Sequence, residues 1–285
     1  MGSAWMLVAG AGFALMGVLV KLAGQWFSSP ELVFYRSLVG FAVLLGAFTL
    51  RHGLGGGRLF LGAHLGMQLR RGLLGFVALL AFFFAIHRLP VSVAITLNYT
   101  SPLFLALLMP WWLSERPRPS QYAAVALGFL GVVLLLRPWG GSLDGLAALA
   151  GLGSGLLAAF AYLHVRQLGK LGEPEWRTVF WFTVVSGLGA ALLASVQGWH
   201  PVSGDNLPLL LAMGLTATLG QLAMTRAYRR GDTVVVGALA YSTVVFGSLL
   251  DVIIWRHGLP SLAWLGMALT VAAGLWAIRT NPKEP

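Results

Sequence analysis

The sequence predicts an all-α membrane protein of ten transmembrane helices, arranged as two inverted five-helix repeats. The prediction rests on a composition too apolar for a watery surface, apolar blocks of bilayer-spanning length, and an internal match between the two halves. Of 285 residues, 58% are hydrophobic and 10% charged, and the mean hydropathy is +0.80. A soluble globule of this size needs more polar side chains to cover itself. The blocks run about 18 to 24 residues, enough at about 1.5 Å per residue to cross roughly 30 Å of hydrocarbon. One such block could be a buried core helix, but ten could not.

The blocks lie between charged, Gly-rich or Pro-bearing breaks, at residues 4–23, 31–50, 71–88, 91–113, 119–137, 145–167, 176–197, 208–227, 233–255 and 260–279. The first is read as a span rather than a signal peptide, because no basic stretch precedes it and Lys21 follows it. The start, MGSAWM, lacks the Ser or Thr at position six that N-myristoylation requires. Connectors are short, RHGLGGGRLFLGAHLGMQLR being the longest, so no soluble domain is expected between spans. Cysteine is absent, which removes disulfides, thiolate metal sites and Cys nucleophiles together.

The net charge is +10, yet the cations are scattered among short loops. Nucleic-acid binding needs them gathered on one face. They set orientation instead. With the N-terminus placed in the cytoplasm, the inner side holds Arg51, Arg58, Arg70, Arg71, Arg116, Arg118, Arg166, Lys170, Arg177, Arg226, Arg229, Arg230, Arg279 and Lys283. The outer side holds Lys21, Arg88, Arg137 and Arg256, with Arg36 inside the second span. This asymmetry is expected of ten spans with both ends cytoplasmic.

A shift of 142 positions lays residues 81–137 on 223–279 without a gap. Arg88 meets Arg230, Tyr99 meets Tyr241, Phe104 meets Phe246 and Arg137 meets Arg279; a shift near 144 sets Pro30-Glu31 on Pro174-Glu175. The shift spans five helices, an odd number, so matching helices cross in opposite directions. The expected units are 1–140 and 141–285. Inverted repeats place transporter sites near the midplane where the halves meet.

The fourth span gathers Asn98, Tyr99, Thr100, Ser101 and Pro102 at its middle, and the ninth gathers Tyr241, Ser242 and Thr243. Each tyrosine lies about eight residues into its span, some 3 to 5 Å from the centre at about 1.5 Å per residue. Pro102 withdraws a backbone donor and frees the Asn98 carbonyl, a defect that a polar cavity or a neighbouring helix can satisfy. We therefore expect Tyr99, Tyr241, Asn98, Ser242 and Thr243 to line a central cavity, the bland reading being hydroxyl bonds across packed helices.

These stretches resemble the EamA-type exporters of the drug/metabolite transporter superfamily. The similarity rests on ELVFYRS at 31–37, AIHRLPVSVAITLNYTSPLF at 85–104, LSERPRPSQYAAVALGFLGVVLLL at 113–136 and the second copy RAYRRGDTVVVGALAYSTVVF. Ser114-Glu115 stands where the family carries a Gly-Glu-Arg-Pro-like turn, Ser114 replacing its usual glycine, and the second copy has Arg256-His257 there. Within the family the chain is most similar to YddG-type exporters of aromatic and other neutral amino acids. The resemblance implies a bacterial-type inner membrane and a cavity formed by spans 1, 3, 4, 6, 8 and 9, to which Phe83, Tyr162 and Gln221 belong. It implies no cofactor, and as partners a neutral amino acid and the lipid bilayer, not nucleic acid. A largely apolar cavity with few hydrogen-bonding groups suits a zwitterion with a large side chain better than a phosphate.

Of the charges inside spans, Arg36 is expected to pair with Glu31 or a backbone carbonyl, or else to attract a carboxylate. Asp251, near the outer end of its span, meets Lys21, Arg88 or Arg256, or carries a proton. GLGSG at 151–155 has the spacing neither of a nucleophile elbow nor of a dinucleotide fingerprint. No HExxH or clustered carboxylates mark an enzyme. The leading reading is a secondary exporter of small amphipathic metabolites; the alternatives are a broad-specificity drug or lipophilic-cation exporter and a membrane-embedded enzyme.

Overall fold

The computed structural model describes residues 2–52, 58–139, 144–256 and 258–280; Lys283 and His257 lie outside them. Among the described residues the chain is helical, without a strand. The helices are α1 (Trp5–Ala23), α2 (Ser29–His52), α3 (Arg58–Leu61), α4 (Leu65–Arg88), α5 (Val91–Asn98), α6 (Ser101–Trp112), α7 (Pro119–Leu136), α8 (Gly145–Lys170), α9 (Glu175–Gln197), α10 (Leu207–Arg230), α11 (Thr233–Ala240), α12 (Ser242–Trp255) and α13 (Ser261–Arg279). They make ten spans, because α5 with α6 and α11 with α12 each form one interrupted crossing.

The interruptions fall where the polar clusters stand. In the fourth span α5 ends at Asn98, the Thr100 amide turns back to the Leu97 carbonyl at 3.2 Å, and α6 restarts with Pro102 in its first turn. Proline belongs there because its missing N–H would be unsatisfied at a helix start anyway. The ninth span has no proline at this point; the break is again a three-residue turn, in which the Val244 amide reaches the Tyr241 carbonyl at 3.1 Å. Asp144 and Asp232 begin α8 and α11, each carboxylate accepting two amides of the first turn.

Packing follows the inverted repeat. The first helix of each half lies against the third span of the other: α1 on α10, and α8 on α4. The second spans α2 and α9 pair with each other, as do the fifth spans α7 and α13, while α1 also lies on α12 and α8 on α6. Glycine lets these backbones approach. A methyl group on Gly155 would meet the Thr100 hydroxyl at 2.5 Å and the Leu97 carbonyl at 2.9 Å. One on Gly10 would meet the Ser242 hydroxyl at 2.7 Å. The first helix of each half thus presses a glycine against the interruption in the other half's fourth span.

The start of α1 and the end of α13 lie at one end of the bundle, where Leu7 and Ile278 border the same groove and the Ser3 hydroxyl accepts the Asp232 amide at 3.1 Å. The ion pairs there are mostly well covered: Glu115 holds Lys170 at 2.6 Å and Arg166 at 3.6 Å, Glu175 holds Arg229 at 2.8 Å, and Glu173 holds Arg177. At the opposite end Lys21–Asp251 (3.1 Å) and Arg88–Asp144 (3.5 Å) are open to solvent.

Two expectations about charge are corrected. Arg71, counted with the inner loop, lies almost two turns inside α4, because that helix begins at Leu65 rather than near residue 71. Arg36 does not pair with Glu31. Both carboxylate oxygens of Glu31 are already occupied, by the Ser28 amide and hydroxyl at 2.8 Å and by the His200 amide at 2.6 Å and ring nitrogen at 2.8 Å. Arg36 turns instead toward Met16 Sδ, 3.8 Å from its Nη1.

Candidate functional site

Arg71 organises the polar centre of the bundle. It lies on a buried face of α4 with Gln68, Gly72 and Ala78, Arg71 and Gly72 standing three and four residues beyond Gln68 and Ala78 seven beyond Arg71. Its neighbour Arg70, about 100° further round the helix, is exposed. Arg71 is 2% exposed. Its Nη2 donates to Gln221 Oε1 of α10 at 3.2 Å, and its guanidinium carbon stands 4.0 Å from the ring centroid of Phe182 on α9. Nε and Nη1 have no hydrogen-bond partner.

Arg36 approaches the same ring from α2, its guanidinium carbon 5.7 Å from the Phe182 centroid. Two cations therefore flank one aromatic ring. Arg36, Phe182, Thr183, Thr218 and Gln221 line a crevice between α2, α9 and α10. Neither arginine forms an ion pair among the described residues. The nearby buried carboxylate, Glu173, is engaged by Arg177 and by Gln68 Nε2 at 3.4 Å.

Beside this centre lies a run of tyrosines. Tyr162 of α8 stacks on Tyr228 of α10, centroids 5.1 Å apart and planes 17° apart. Tyr99 and Tyr241, at the two interruptions, face each other at 6.3 Å, and the Tyr99 hydroxyl is directed to Thr243. Tyr241 is fully buried among core residues, 6.4 Å from Phe129. The hydroxyls of Tyr228, Tyr241 and Ser242 have no partner. Buried hydroxyls are usually satisfied, so these are available to a water or a solute.

The residues expected from sequence divide accordingly. Tyr99 and Tyr241 meet ring to ring, Thr243 stands beside Tyr99, Tyr162 stacks on Tyr228, and Gln221 and Arg36 line the crevice beside Phe182. Asn98 spends its amide on Ser154 Oγ at 3.0 Å, a bond across packed helices. Ser242 faces Gly10 and borders a separate apolar groove between α1, α11, α12 and α13. Phe83 lies beside Phe82 at 6.3 Å, toward the end of α4 away from Arg71. Asp251 is held by Lys21, which also sits 3.7 Å over the Trp255 ring. Sequence reasoning missed Arg71, Phe182 and Tyr228. The spacing of Gln68, Arg71, Gly72 and Ala78 was the signal for the first; α2 and α9, which bring Arg36 and Phe182, lie outside the spans the resemblance implied.

A ten-span bundle of two interlocked inverted halves around a polar middle is the architecture of a membrane transporter. The chain belongs to the EamA-like transporter family, whose model matches it over residues 1–137 and 145–279. It is 30% identical over 269 residues to the pseudopaline exporter of Pseudomonas aeruginosa strain UCBPP-PA14, covering 94% of this chain and 93% of that one. It is likewise 30% identical over 289 residues to a riboflavin transporter of Rhizobium johnstonii, covering 99% and 92%. A crystal structure 21% identical to it superposes with a TM-score of 0.79 over 97% of both chains and shares the fold.

Proposed function

We propose that the protein is a secondary transporter that exports small carboxylate-bearing amphipathic metabolites. Aromatic and other neutral amino acids are the first class to test, moved by alternating access about the tyrosine and arginine centre. The membrane is a bacterial-type inner membrane with both chain ends in the cytoplasm, and the halves divide as 1–140 and 141–285. Tyr99, Tyr241, Thr243, Tyr162 and Gln221 contact the solute, Asn98, Ser242 and Phe83 lie around them, and Arg36 meets its carboxylate. Asp251 serves as a structural partner of Lys21.

The observation that carries this reading is the meeting of two interrupted spans at Tyr99 and Tyr241, 6.3 Å apart, where the inverted halves interlock. Interrupted helices at the contact of inverted repeats are where transporters bind solutes, because exchanging the roles of the halves opens the same site to the other side. The resemblance to YddG-type exporters supports amino acids, and the relatives' printed substrates support small organic metabolites in general.

Counterflow in proteoliposomes tests it. Vesicles preloaded with unlabelled phenylalanine, tryptophan, leucine, riboflavin or tetraphenylphosphonium are assayed for accumulation of the labelled counterpart, with recovery of the unmodified solute checked. Accelerated exchange of an amino acid is expected. Exchange of the lipophilic cation alone would establish the drug-exporter alternative, and conversion to a new product would establish an enzyme.

A further inference from the structure

We infer that the transported solute carries net negative charge, and that Arg71 and Arg36 together form its carboxylate site. The inference rests on the transporter reading above and, within its carboxylate-bearing solutes, sets anionic acids ahead of the neutral amino acids. Two guanidinium groups within the membrane-spanning helices, Arg71 buried and Arg36 half-buried, flank one phenylalanine ring at 4.0 and 5.7 Å with no described acid paired to either, which leaves positive charge inside the bundle uncompensated. Breaking an ion pair in such a place is strongly unfavourable, so a chain that keeps two unpaired cations there receives its anion from outside.

The geometry favours a carboxylate. Arg71 has Nε and Nη1 free, and its Nη2 is steadied by Gln221, whose side chain also lines the crevice that Arg36 and Phe182 border. A planar fork with unused donors matches a planar carboxylate, and the charge-assisted bonds it makes are about twice as strong as neutral ones. A zwitterion would bring an ammonium group to two guanidinium groups, with the nearby Glu173 already engaged by Arg177. An acid without that ammonium, best one with two carboxylates, satisfies both arginines. The stacked pair of Tyr162 and Tyr228 offers its apolar part a wall.

A charge series on one skeleton tests this: phenethylammonium, phenylalanine, phenylpyruvate and phenylsuccinate, at constant ionic strength. Binding to the purified protein is read as the shift in thermal unfolding midpoint, and separately as inhibition of solute exchange in proteoliposomes. We expect half-saturating concentrations to fall about tenfold per added negative charge, with no binding of phenethylammonium. Arg71→Gln should flatten the series, Arg71→Lys should keep its order with weaker binding, and Arg36→Gln should erase the step from phenylpyruvate to phenylsuccinate. Equal binding of phenylalanine and phenylsuccinate, no binding of either acid by the wild type, or an unchanged order in both glutamine variants would overturn the inference. Phenylalanine exchange in that case leaves the transporter reading standing. Acid binding without exchange of any solute keeps the site and removes the transporter.

Discussion

The rings of Tyr99 and Tyr241 face each other 6.3 Å apart, their planes 37° apart, each at the point where its own span is interrupted. Their surroundings differ. Tyr99 is half-buried and its hydroxyl is directed to Thr243, whereas Tyr241 is fully enclosed beside Phe129 and Gly128. The two positions therefore answer differently to substitution. Tyr99→Ala should lower exchange about tenfold or more while leaving the unfolding midpoint near that of the wild type. Tyr241→Ala opens a cavity and should cost on the order of 3 kcal/mol, so Tyr241→Phe is the informative change there. It removes a hydroxyl that has no partner in the fold, and a loss of exchange without loss of stability would assign that hydroxyl to the solute.

Gln221→Glu supplies Arg71 with the anion it lacks. The new carboxylate stands where Oε1 now accepts from Nη2 at 3.2 Å, and the protein should gain about 1 to 2 kcal/mol of stability, since a hydrogen bond to a charged group exceeds a neutral one. The same change should abolish binding of acidic solutes. Detergent-solubilised melting curves and exchange assays on one preparation check both halves of this expectation.

Glu31 ties the start of α2 to the connector before α10. It is fully buried and accepts from Ser28 and His200 with both oxygens. Glu31→Gln puts an NH2 group against existing donors on one side, and should destabilise by about 2 kcal/mol. Asp251→Asn breaks an ion pair whose members are 55% and 38% exposed, and should cost less than about 1 kcal/mol. If Asp251→Asn also ended accumulation driven by a pH gradient, Asp251 would have to be reassigned to proton coupling.

Ser114 adopts φ 55°, the left-handed region, which disfavours a side chain and suits glycine. Ser114→Gly should therefore raise stability by about 0.5 to 1 kcal/mol with exchange unchanged. The turn's Glu115 keeps Lys170 and Arg166 in either case.

The spans and their inverted pairing were legible because hydrocarbon imposes length and composition on every crossing, and because Tyr99, Tyr241, Arg88 and Arg230 mark the register of the repeat. The interruption at Tyr99 was announced by Pro102. That at Tyr241 had no proline and could be anticipated only through the repeat. Arg71 was misplaced because QLRRG reads as a basic loop when scanned by charge; what distinguishes Arg71 from Arg70 is a rotation of about 100° on a helix that starts earlier than its apolar run. Phe182 and Tyr228 were invisible for another reason: aromatic residues abound in such segments, and only tertiary packing tells which of them meet.

The reciprocal packing of α1 on α10 and α8 on α4 has a consequence for biogenesis. As the polypeptide leaves the ribosome, the first five crossings enter the lipid before either partner helix exists, so Gly10 and the interrupted backbone near Asn98 wait unprotected. Synthesised alone, that fragment lacks its mates unless a sister copy inserts upside down beside it. Joining both orientations in one polypeptide removes the need for that chance encounter.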